Sequence, residues 1–86
     1  MDLYTTSEFA DLVQAELKKA RDAHPHKFHS FHEGIAIIDE EFIELRDEIY
    51  TKRVDEAKVL KELVQLATMC RRFYEDLIQE TRTDLD

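Results

Sequence analysis

The sequence predicts an all-α protein: a helical hairpin with an N-terminal helix, forming a four-helix-bundle-like core by dimerisation. Three observations carry this expectation. The 86-residue chain holds one Gly, one Pro and no Asn, so it lacks the residues from which the turns between strands are made. Apolar side chains recur at helical spacing in three segments. One domain of this size buries a modest share of its surface, and the lone Cys70 offers neither a disulfide nor a zinc cluster. Packing against a second copy is the remaining reinforcement.

The first helix is expected over about 7–23, with Ser7 as N-cap. Phe9, Leu12, Val13 and Leu17 form its apolar face. Lys18, Lys19 and Arg21 near its C-terminal end suit the helix dipole. Pro25 stops it, because the residue before a proline is biased away from the helical region. The second helix, about 31–52, opens on Ser30-Phe31-His32-Glu33, a capping-box sequence. Its seam is Ile35, Ile38, Phe42, Leu45 and Ile49, narrow enough for packing along one partner helix. The third helix, about 56–81, takes Asp55 as N-cap. Ala57, Leu60, Leu63, Val64, Ala67, Tyr74 and Ile78 form its inward set, flanked by Cys70 as a small core residue. Leu66, Met69 and Phe73 widen its apolar surface, so it should touch two neighbours.

The net charge of −8 argues against a nucleic-acid or anionic-membrane binder, since phosphate surfaces are held by basic patches. No apolar run approaches the ~20 residues of a membrane span. The N-terminal Met1-Asp2-Leu3-Tyr4 has no basic n-region and no apolar h-region, so a cytoplasmic location is expected.

The charge is concentrated. Between Glu33 and Thr51 stand seven acidic residues and one basic residue, Arg46. Glu40/Glu44 and Glu44/Glu48 are i, i+4 like-charge pairs, each costing a few tenths of a kcal/mol. At 100° per residue Glu41, Glu44 and Glu48 share a stripe on the shoulder of the seam, and Glu40 lies further round toward solvent. A solvated helix face is the commoner meaning of such a run. A divalent ion between helices is the other, because Mg²⁺ prefers carboxylate oxygens and keeps waters and phosphates as its remaining ligands.

Glu40-Glu41-Phe42-Ile43-Glu44, followed after seventeen residues by Glu62-Leu63-Val64-Gln65, resembles the E-E-x-x-E … E-x-x-D signature of the MazG-like, all-α nucleoside triphosphate pyrophosphohydrolases. The strings Ser30 to Glu41 and Lys61 to Phe73 are similar to small, phage-type members. The resemblance implies Mg²⁺ (or Mn²⁺) held by Glu41, Glu44 and Glu62, with Glu40 as ligand or base beside Glu41. It implies a nucleoside triphosphate substrate cleaved to a monophosphate and pyrophosphate. The sequence departs from the signature at Gln65, where an Asp is expected, and the chain ends one helix after the second motif. Those departures imply a site completed by another subunit, a weakened one, or an inactive relative.

Gln65, Arg71, Arg72 and His32 are the candidate substrate contacts. Arg suits bidentate phosphate binding, though Arg71 and Arg72 equally suit pairing with Glu75 and Asp76. His32 would sit near the site mouth, and Phe73 or Tyr74 would be core before they were base-stacking platforms. His24, His26, His29 and His32 fall within nine residues, an alternative transition-metal set. A non-enzymatic oligomerisation module with an acidic face is the other alternative. With one glycine, Gly34, the chain has no phosphate-binding glycine loop.

Overall fold

The computed structural model of the chain describes residues 5–79, and all regular structure among them is helical. The elements are α1 (Thr6–Ala23), α2 (Phe31–Ile49) and α3 (Glu56–Phe73), the last passing directly into a π-helical segment, Tyr74–Gln79. The expected end of the third helix at 81 lies outside the described residues.

Each helix starts where a side chain satisfies the orphan backbone donors. Asp55 accepts from the N–H groups of Ala57 and Lys58, as its position predicts. Ser30 Oγ accepts from Glu33 N–H at 3.1 Å. The Glu33 carboxylate accepts in return from His29 N–H at 2.9 Å, one residue earlier than in a standard capping box. The cap of α1 is Thr5, not Ser7: Thr5 Oγ1 accepts from Glu8 N–H at 3.1 Å. Thr5-x-x-Glu8 is itself a capping-box spacing, and Ser7 falls inside the first turn. Helix α2 ends three residues before the expected Lys52. There Thr51 Oγ1 donates to Arg53 O at 3.0 Å, a local bond that competes with helix continuation.

Helix α3 is central. Helix α2 runs antiparallel along one side, bringing Phe31 against Phe73. Helix α1 lies parallel along the other side, with Arg21 reaching Glu75 and Asp76. The 24–29 connector is fastened to the end of α3 by buried charge. Arg72 donates to the carbonyls of His24 and His26 at 2.5 and 2.6 Å, and its guanidinium lies 5.0 Å from the centre of the Phe28 ring. Asp76 accepts from Phe28 N–H at 3.1 Å and from Arg21 at 3.1 Å. Arg72 and Asp76 are both buried with Arg72 Nε 3.6 Å from Asp76 Oδ2, so opposite charge and the bonds to the connector backbone offset the cost of burying them, while Arg72 Nε itself makes no hydrogen bond.

The inward face of α3 is therefore Val64, Thr68, Arg72 and Asp76. Thr68 is fully buried, with its hydroxyl donating to Val64 O at 2.7 Å. The predicted inward set is rotated from this: Ala57, Leu63 and Tyr74 are exposed, and so is Cys70. On α2, Ile38 and Leu45 are half-buried while Ile35, Phe42 and Ile49 face outward. The physical reason is the layer itself. With α1 and α2 on opposite sides of α3, one face of the three helices stays uncovered.

Gly34 decides how closely α2 approaches α3. A Cβ there would overlap the Phe73 ring and come within 3.2 Å of Leu77 Cδ1. That ring is stacked on Phe31 at a centroid separation of 5.6 Å and an interplanar angle of 13°. Overpacking of this kind costs about 1–3 kcal/mol, against roughly 1 kcal/mol of helix propensity gained by replacing Gly with Ala. Gly34→Ala is expected to lower the melting temperature by several degrees in calorimetry. An increase would mean that the two helices do not meet closely at this point.

Candidate metal centre

Helix α2 carries Glu41 and Glu44 one turn apart, on the side turned toward α3, and Glu62 faces them from α3. One carboxylate oxygen from each of the three lies within 4.8 Å of the others. Among the described residues this is the one group of three His, Cys, Asp or Glu side chains whose ligand atoms converge in this way. Glu41 and Glu62 are half-buried and Glu44 is exposed, so the cluster sits at the lip of the α2–α3 cleft.

Two carboxylate oxygens, Glu41 Oε2 and Glu62 Oε2, are buried without a hydrogen-bond partner. Buried polar atoms are rarely left so. Burial is the main reason the Glu41 carboxyl is pushed up to about 7, helped by the charge and hydrogen bonding of Glu44 and by the charges of Glu62 and Glu40. Glu62 is raised by burial and then by Glu44, with Lys61 partly opposing. Orphaned oxygens and crowded negative charge are what a divalent cation would relieve. An all-oxygen donor set fits a hard ion such as Mg²⁺ or Mn²⁺.

Glu41 also stands where two openings meet. One is a cavity of about 420 Å³ between the connector and α2, lined among others by His24, His29, Glu40, Glu41, Met69 and Arg72. The other lies toward α1 and is lined by Glu16, Lys19, Glu41 and Gln65. Gln65 thus shares a groove with Glu41 without joining the carboxylate group. Glu40 is exposed beside Glu41, on the solvent side its helical position indicates.

Of the remaining expected contacts, only Arg72 lines one of these openings, the cavity beside the connector. His32 is exposed and lines neither opening, because its position on α2 lies well round from the Glu41–Glu44 side. Arg71 donates from Nε to Glu75 at 2.9 Å. Arg72 is buried under the connector. Both arginines are therefore engaged within the chain. Among the described residues the histidines join no converging group of three potential ligands. Glu16 and Met69 carried no motif that singled them out, and Lys19 and Arg21 read only as cations suited to a helix end. The partners of Arg21, Glu75 and Asp76, lie 54 and 55 residues away.

No protein-family model matches the chain, and no curated protein or solved structure matches it.

The raised carboxyls give the fold a definite pH response. Folding favours the protonated form of Glu41, so its contribution is full below the ordinary value of 4.5 and is lost as pH rises through about 7. Glu62 acts with the same sign. Glu75, lowered chiefly by its hydrogen bond from Arg21, responds only on acidification below the ordinary carboxylate value. In chelator, the melting temperature is expected to fall between about pH 5 and pH 8, and millimolar Mg²⁺ should flatten that decline. A profile that is flat in chelator would contradict the crowding of Glu41.

Proposed function

We propose that this chain is a Mg²⁺- or Mn²⁺-dependent nucleoside triphosphate pyrophosphohydrolase of the MazG-like type, acting as a homodimer or higher homo-oligomer. The observation that carries the reading is the convergence of Glu41, Glu44 and Glu62 from two helices, with buried oxygens on Glu41 and Glu62 that no protein group satisfies. A solvated acidic face gives no reason for carboxylates to turn inward and toward one another.

In this reading Glu41, Glu44 and Glu62 hold the cation. When bound, it supplies Lewis acidity: charge neutralisation on the phosphate oxygens and a lower pKa for the attacking water. The water oxygen forms a bond to phosphorus as the P–O bond of the α–β anhydride breaks. The electron pair of that bond departs with pyrophosphate. Glu40, exposed beside Glu41, is the acceptor for the proton the water gives up. Gln65 contributes an amide in place of a carboxylate, leaving one negative charge fewer around the cation and a weaker grip on it. Lys19 lines the groove with Glu41 and Gln65 and is the cation placed to meet phosphate there, whereas Arg71 is bonded to Glu75 and Arg72 to the connector carbonyls. The cavity beside the connector is within the size range of small-ligand sites and suits the nucleoside half.

The test is pyrophosphate release from a panel of ribo- and deoxyribonucleoside triphosphates in the presence of Mg²⁺ or Mn²⁺. Glu41→Gln and Glu44→Gln are each expected to lower kcat by at least about 100-fold, in line with removal of a transition-state charge stabiliser. The same variants should melt at higher temperature than the parent at pH 8 in chelator. Absence of metal-dependent release with every nucleotide, or full activity in both variants, would end the reading.

A further inference from the structure

The uncovered face of the three-helix layer is apolar, and it lies away from the carboxylates. Phe31, Ile35, Phe42 and Ile49 on α2 are 60%, 55%, 48% and 44% exposed. At 100° per residue they fall within about 40° of one another, with Glu41 and Glu44 roughly 100–150° further round. Leu63 and Tyr74 on α3 are 40% and 48% exposed, and Cys70 lies exposed between them. Glu62 is roughly 100° away from that stripe.

We propose that this face receives a second copy of the chain, and that each carboxylate site stays complete within its own protomer. The second half rests on the metal-site reading above. The spacing is that of a bundle seam. Ile35, Phe42 and Ile49 recur every seven residues beside Ile38 and Leu45, which already pack partly inward. The area is sufficient as well. At about 200 Å² per aromatic side chain and somewhat less for Ile or Leu, the six expose roughly 500 Å² per protomer, about 1,000 Å² for a pair before their neighbours are counted. The fold needs such a contact, because the buried apolar side chains among the described residues are only Val13, Leu17, Phe28 and Val64. Charge selects the arrangement. A two-fold contact through this face turns both acidic clusters outward, where they do not repel across the interface.

Sedimentation of the full chain at micromolar concentration, paired with a Mn²⁺ titration of the same samples, tests both halves. The parent is expected to sediment as a dimer. Phe42→Glu and, independently, Ile35→Glu are expected to give helical monomers that bind Mn²⁺ within about twofold of the parent, with Cys70 alkylated at least about tenfold faster. A monomeric parent, or dimers that persist in both variants with Cys70 equally reactive, would overturn the docking face. A helical monomer whose Mn²⁺ affinity falls about tenfold or more would show that the partner completes the site. If the parent binds no Mn²⁺, the metal reading and the claim of self-contained sites fall together, and sedimentation still decides the docking face.

Discussion

The approach of α2 to α3 at Gly34 sets the rest of the molecule. Without a side chain at that position, the Phe73 ring lies against the backbone of α2 and is covered by Phe31. Helices packed this closely cannot rotate freely. One residue of slippage would turn α2 by about 100° and carry its carboxylates off the cleft. The contact therefore brings Glu41 and Glu44 opposite Glu62 further along the antiparallel pair. It also leaves Phe42 and its heptad neighbours on the outside. The acidic cleft and the apolar face are two consequences of one register.

That register is electrostatically unfavourable where it matters most. Three carboxylates within reach of one ion, two of them half-buried, repel one another in surroundings that screen poorly. The fold tolerates this because its order is secured at the other end of α3. There Arg21, Arg72 and Asp76 form a largely internal network that also holds the connector from which α2 departs. At the cleft, protons and divalent cations are rival solutions to the same excess of negative charge. A metal site built this way binds more tightly as pH rises.

Much of the fold was legible because it rests on local chemistry. Pro25, Ser30 and Asp55 mark boundaries through backbone groups within a few residues of themselves, and the apolar periodicity fixed the number and order of the helices. The orientation of α3 was not legible. Its surface is apolar over most of its circumference, and its innermost residues include Thr68, Arg72 and Asp76, which composition would assign to solvent. They are accommodated inside because their partners are Val64 O, the carbonyls of His24 and His26, and Phe28 N–H. Most of those partners are nearly fifty residues distant, beyond the reach of any local pattern. The π-helical turn at Tyr74 occurs at that same network. At the candidate site, the spacing of glutamates on one helix was readable and brought Glu41 and Glu44 into view. The motif resemblance was needed to connect them with Glu62. His32 and Arg71 line neither opening beside Glu41, and Arg72 reaches one of them from its buried place under the connector; helix rotation and long-range pairing, not residue type, decide those positions.

The central claim is that Glu41, Glu44 and Glu62 share one divalent cation. Anomalous diffraction from crystals soaked in Mn²⁺ at pH 8 tests this most directly. The account predicts a single strong peak at bonding distance from a carboxylate oxygen of each residue. A map with no peak in the α2–α3 cleft, or with Mn²⁺ only at scattered surface acids, would contradict it.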